Sequence, residues 1–241
     1  MRAIALLSLS TFASSLPTAY QPPPPSLSTS KGFTLVAKVL PSSGSSPLAP
    51  LVDSRVLIAA HVGAGFNVAV LYPRNYTNAA IFYQNGTPEQ VSSGQTMLIN
   101  DEATPPSPFP MSIQGPDVFD RTYLTQHSVL VNVVNSSAVS FEERNGVQVL
   151  KNGLDPVGEG TFAVCNNTVP YYRSAFWTLM YVYGGEELAE ECVEVVMVPK
   201  CAVLADLPEG SFSSHEFAVE VKCYEEVEGL VVGEDEEEEA D

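Results

Sequence analysis

At 241 residues with 45% apolar residues, the chain is long enough to bury a substantial core, and it carries a formal charge of −18. So acidic a surface repels phosphate backbones and anionic headgroups, which argues against nucleic acid as a partner and against a membrane surface. Beyond the N-terminus no segment approaches the roughly 20 apolar residues needed to cross a bilayer as a helix, so no membrane insertion is expected.

Met1-Arg2 supplies a short positive region, Ala3 to Phe12 an apolar run, and Ala13, Ser14 and Ser15 a small-residue stretch. That order is the pattern of a secretory signal peptide, here assigned to 1–19. A Pro/Ser-rich lead, 20–30, contains Pro22-Pro23-Pro24-Pro25 and precedes a β domain assigned to 31–232. The acidic stretch 233–241 reads as a solvated, disordered tail.

Within the domain the hydrophobic period is two. In Gly32 to Leu40, the residues Phe33, Leu35, Ala37 and Val39 share one face, with Thr34 and Lys38 on the other, which predicts a half-buried strand. Comparable runs follow at Arg55 to Ala60, Val68 to Leu71, Ala79 to Gln84, Thr96 to Asn100 and Ser128 to Val134. Further runs lie at Val139 to Glu143, Val147 to Lys151, Thr161 to Val164, Phe176 to Tyr183, Val193 to Val198 and Phe217 to Tyr224. Asn145-Gly146 between two of them is a type I′ hairpin turn, because both residues tolerate positive φ. Asn85-Gly86 resembles a related turn. The Pro-rich stretches Ser42 to Pro50 and Pro105 to Pro110 read as extended loops, since proline has no ladder donor. Glu186 to Glu191 could form about one helical turn.

The four cysteines, Cys165, Cys192, Cys201 and Cys223, lie in the last third, and an even number in an exported chain predicts two disulfides. A straight strand after Cys192 would carry Cys201 too far to bond it. A hairpin near Gly184-Gly185 would return the chain toward Cys165, so the expected pairs are Cys165–Cys201 and Cys192–Cys223. No Cys-x-x-Cys spacing and no neighbouring histidine suggests a metal. Asn75, Asn85, Asn135 and Asn166 each head an acceptor sequon, so glycosylation at four solvent-facing turns is expected.

Motifs for chemistry are sparse. His61-Val62-Gly63-Ala64-Gly65 lacks the third glycine of a dinucleotide loop, which falls on Val68, and a strand follows where a helix is required. His61 is the candidate base if the protein is an enzyme; the alternative is a buried or half-buried histidine beside a glycine turn or bulge. His127 and His215 stand alone, and no Gly-x-Ser-x-Gly nucleophile is present. Glu142, Glu143, Asp117 and Asp120 are carboxylates among too many others to single out a glycosidase pair. No catalytic residue, cofactor or metal ligand is therefore assigned. Tyr171, Tyr172, Phe176, Trp177, Tyr181 and Tyr183 could form a sugar-stacking platform or simply fill a β interior.

The segments Lys31 to Ala37, His61 to Gly65, Phe82-Tyr83-Gln84-Asn85-Gly86-Thr87 and the Cys192 to Cys201 spacing resemble an uncharacterised family of secreted fungal proteins, over roughly 31–225. More distantly, the Asn145-Gly146 hairpin followed by Phe162-Ala163-Val164-Cys165 is similar to a fungal cell-wall protein family of phialide development. The first resemblance implies secretion without a known role, the second cell-wall association. The resulting expectation is an all-β single domain of about a dozen strands, a sandwich or closed barrel with a β-trefoil as alternative. Its expected role is that of a secreted, extracellular or cell-wall glycoprotein, non-catalytic, that acts either by binding cell-wall polysaccharide or an extracellular protein or as a structural component. A small secreted hydrolase and an effector binding a host partner are the alternatives.

Overall fold

The computed structural model describes residues 25–115, 126–153, 155 and 160–233. The signal-peptide assignment, most of the acidic tail, and Asp117 and Asp120 lie outside those residues.

The domain is all-β, as the period-two pattern requires. The strands run in chain order as β1 (Leu27–Ser30), β2 (Gly32–Val39), β3 (Val56–Gly63), β4 (Phe66–Tyr72), β5 (Phe82–Asn85), β6 (Met97–Glu102), β7 (Ser107–Ile113) and β8 (His127–Asn132). They continue as β9 (Val139–Arg144), β10 (Val147–Asn152), β11 (Thr161–Val169), β12 (Ser174–Val182), β13 (Cys192–Ala202), β14 (Ala218–Val219) and β15 (Val221–Tyr224). The principal sheet closes on itself: the ladder runs from β13 through β11, β12, β4, β3 and β2, and β2 pairs back onto β13. A ring of pairings leaves no open edge along that path, which places the fold with barrels.

Phe33, Leu35 and Ala37 point into the main core with Leu57, Leu71, Phe82, Leu98, Met111, Leu179 and Met197. The opposite face of β2 is covered too. Val36 and Leu40 pack with Val147, Val149, Val196, Val198 and the segment Tyr224 to Val232. Lys38, expected to face solvent, is instead buried and reaches Asp53 Oδ2 at 2.9 Å. Asp53 Oδ1 in turn accepts from the Val39 amide at 3.1 Å. The β9–β10 hairpin forms as the Asn-Gly dipeptide dictates, with φ of 49° at Asn145 and 76° at Gly146.

Several local expectations are corrected. The sheet starts at Leu27, inside the Pro/Ser-rich lead, because Leu27–Ser30 pairs with Val221–Tyr224. Ser107–Ile113 is a strand despite its prolines. Of β7, only Met111 to Ile113 pair with β8, so Pro108 and Pro110 occupy a stretch whose second edge needs no donors. Short helices α1 (Ala49–Val52) and α2 (Pro88–Ser92) form, whereas Glu186 to Glu191 is not helical. α2 starts at a Thr87–Gln90 capping box, so Asn85-Gly86 leads into a helix and is not a hairpin turn.

The disulfides are Cys165–Cys192 and Cys201–Cys223, which overturns the expected pairing. β12 and β13 are not sheet neighbours; β11 lies between them. Cys165 therefore faces Cys192 directly in the β11–β13 register, with Cα atoms 4.0 Å apart. Cys201 sits at the far end of β13, beside Cys223 of β15.

Candidate functional site

The three histidines occupy three separate environments. His127 is buried at the start of β8, its Nε2 2.9 Å from Glu186 Oε1 and its ring 4.9 Å from that of Tyr183. Glu186 also accepts from the Tyr183 amide at 2.9 Å. His61 lies at a bulge between β3 and β4, as one alternative anticipated, but it is exposed. His215 joins a carboxylate: its Nε2 lies 2.7 Å from Asp101 Oδ2.

Asp101 is the centre of a polar cluster. Its side chain projects from β6 toward Tyr83, whose hydroxyl donates to Asp101 Oδ1 at 3.3 Å. The His215 ring packs edge-on to Tyr83 at 4.7 Å. Burial, reinforced by the Asp101 charge, pushes the Tyr83 phenol well above the usual tyrosine range, so Tyr83 stays a donor. Asn100 is buried on the other face of β6, and its Nδ2 donates to Ile81 O at 2.9 Å. Its Oδ1 is buried without a partner. Burial, together with the neighbouring Asp101 charge and against the pull of His61, raises the Glu102 carboxyl above the usual range.

Asn100, Asp101 and Glu102 line a cleft of about 620 Å³. One edge of β2 serves two strands: Val36 pairs with β3, while Gly32 and Phe33 pair with β5. The cleft opens where those strands diverge, between Ile58 and Ala59 of β3, the 76–81 segment and the end of β6. Residues 204–208 form the remaining wall. Gly32 allows that wall to approach, since a Cβ there would stand 2.7 Å from the Leu204 amide nitrogen.

The aromatic cluster read from the sequence divides. Tyr181 and Tyr183 are buried, and their hydroxyls donate to Asp155 Oδ2 at 2.7 Å and Gln114 O at 2.9 Å. Tyr171 and Tyr172 are exposed, and Phe176 is half-buried. With residues the sequence did not single out, these three form a surface ribbon. Tyr76 contacts Tyr72 at 4.8 Å, Tyr72 contacts Phe176 at 6.5 Å and Phe176 contacts Tyr172 at 5.2 Å. Tyr172 meets Tyr171 at 5.1 Å, and Tyr171 meets the His61 ring at 6.0 Å. The Tyr172 hydroxyl anchors the ribbon by donating to His61 O at 2.6 Å. Tyr76 also lines the cleft, so the two features adjoin. Trp177 instead packs against the main core, with the Arg55 guanidinium 6.0 Å from its ring.

The sequon asparagines differ in setting. Asn75, Asn135 and Asn166 are exposed; Asn85 is half-buried in β5 with its Oδ1 enclosed. Glu142 pairs with Lys151 at 2.6 Å on the β9–β10 hairpin, and Glu143 lies 3.9 Å from Lys222, both away from the cleft residues. Among the described residues no group of three or more His, Cys, Asp or Glu side chains could hold a metal ion, and no helix is long and apolar enough to cross a membrane.

A family described as a domain of unknown function, DUF7907, matches residues 30–201. The antigenic protein SchS34 of Stachybotrys chartarum is 33% identical over 218 residues, covering 86% of this chain and 91% of that protein. No solved structure matches the chain significantly.

Proposed function

The chain belongs to the DUF7907 family, and from that premise we propose that it is a secreted glycoprotein that binds extracellular polysaccharide, such as that of a cell wall, through the Tyr76–His61 aromatic ribbon. The carrying observation is the unbroken series of ring contacts from Tyr76 to His61, with Tyr76, Tyr172, Tyr171 and His61 exposed and Tyr72 and Phe176 half-buried between them. Pyranose faces stack on such rings, and a row of them suits a chain of sugars better than a single one. Two disulfides support export. The description of the fungal relative as an antigenic protein also fits a product that leaves the cell.

Retention of the purified protein on insoluble chitin and β-1,3-glucan tests the reading. Tyr171→Ala with Tyr172→Ala removes the most exposed rings, and binding should weaken by about tenfold or more. Unchanged retention, or none by the wild type on any polysaccharide, overturns it.

The Asp101–His215 pair supports a second reading, a small hydrolase. A carboxylate orienting an imidazole beside a cleft is an arrangement suited to general base catalysis. Turnover of ester or glycoside substrates that disappears in His215→Ala would favour it over pure binding.

A further inference from the structure

We propose that the cleft between β3, the 76–81 segment, the end of β6 and residues 204–208 is a binding site for an organic cation, a protonated amine carried on an apolar stem. This goes beyond the polysaccharide reading and uses different groups, so either can fail alone.

The lining of the cleft decides the chemistry. Its charged members are Asp101, Glu102 and Asp206; none is Lys or Arg. Asp101 is already engaged by Tyr83 and His215. Among the described residues no hydrogen bond or ion pair holds the Glu102 carboxylate. Asn100 is only 5% exposed, and its Oδ1 is an acceptor with nothing donating to it. A buried acceptor left unpaired is costly, and a donor from a ligand would remove that cost.

The site therefore offers acceptors and negative charge, which is the complement of an ammonium group with three donors and no acceptor. A neutral sugar fits less well, because its hydroxyls require donors as well as acceptors. The other walls are apolar: Ile58, Ile81, Leu204 and Leu207 can enclose a methylene stem. The volume of about 620 Å³ falls within the range of small-molecule clefts. Glu102 gives independent support. Burial and the Asp101 charge disfavour its ionised form, against the pull of His61, and a cation bound beside it would offset the Asp101 charge and favour the carboxylate.

The same chemistry could be presented by a free polyamine or by a lysine side chain of a basic partner. Calorimetric titration with spermidine, with the peptide Ala-Ala-Lys-Ala-Ala and with 1,5-pentanediol separates these cases. The protein should bind an amine and ignore the diol. Glu102→Gln should weaken amine binding by about tenfold or more, the usual consequence of losing a charged hydrogen bond. Asn100→Leu, which keeps the volume and removes the acceptor, should weaken it as well. Stronger binding of spermidine indicates a free amine, and stronger binding of the peptide indicates a protein side chain. Removing residues 234–241 controls for loose attraction to the acidic tail and should leave the affinity unchanged. Equal binding of diol and amine, insensitivity to Glu102→Gln in a variant that retains its wild-type thermal transition, or loss of binding with the tail overturns the proposal.

Discussion

Replacing Cys165 and Cys192 together by alanine should cost the domain several kcal/mol. The bond closes a loop with a sequence separation of 27. In the chain-entropy view, freeing such a loop returns roughly 3.5 kcal/mol of conformational entropy to the unfolded state. Both cysteines are buried with Ala163, Met180 and Val182. Each lost sulfur therefore adds a small void, costing on the order of 1 kcal/mol. For a domain of this size the loop contribution alone lowers the melting temperature by roughly 7–14 °C. The Cys201–Cys223 loop has a separation of 22, so its entropic contribution is nearly the same. A difference between the two double variants would then report packing. Urea unfolding of the wild type and both variants gives the comparison, and a non-reducing peptide map gives the pairing. A Cys165/Cys192 variant within about 1 kcal/mol of wild type would refute the loop argument. A peptide linking Cys165 to Cys201 would refute the register on which it rests.

Three further outcomes follow from other parts of the fold. Burial raises the Asp53 carboxyl, but hydrogen bonds from Lys38, Ser54 and the Val39 amide, with the Lys38 charge, outweigh it and leave its pKa lowered. Its stabilising contribution is therefore complete above the usual carboxylate range, near about pH 4, and is lost as the pH falls through the lowered value. In urea titrations Asp53→Asn should be less stable than wild type at pH 7, and the gap should close in acid. Gly146→Ala should cost about 1–2 kcal/mol, because φ is +76° there with open space around it, and Gly146→Asn should cost less; thermal melts decide. Glycan mapping of the secreted protein should find Asn75, Asn135 and Asn166 occupied and Asn85 bare, since only Asn85 is enclosed in a strand.

Much of the scaffold can be read in the sequence because alternation and turn chemistry are local. Phe33, Leu35 and Ala37 face the core for the reason their spacing suggests, and Asn145-Gly146 can hardly do other than turn. What fails are inferences about which strand lies beside which. The Gly184-Gly185 turn does not return the chain along β12. β13 instead joins the other side of β11, and that single topological choice reassigns both disulfides. Proline obscures β7 for a related reason. Whether a proline is tolerated depends on whether its edge has a partner, which is a property of the sheet and not of the residue.

The cleft is less legible still, and the ladder shows why. β2 cannot keep both β3 and β5 along one edge without the two spreading apart, and past the fork the Ala80 amide, just ahead of β5, still reaches Leu57 O of β3 at 3.2 Å. A wedge opened in this way is lined by whatever residues end there: Ile58, Ile81, Asn100, Glu102 and, from the distant segment after β13, Leu204. Asp101 meets His215 across a separation of 114 residues, so no spacing rule could have paired them. His61 drew notice because glycines flank it, a backbone signal of the β3–β4 bulge, while Asp101 and Asn100 sit in an unremarkable strand pattern. In a closed sheet the positions suited to binding are set by where pairing fails, and the sequence of any one strand does not record where its neighbours part.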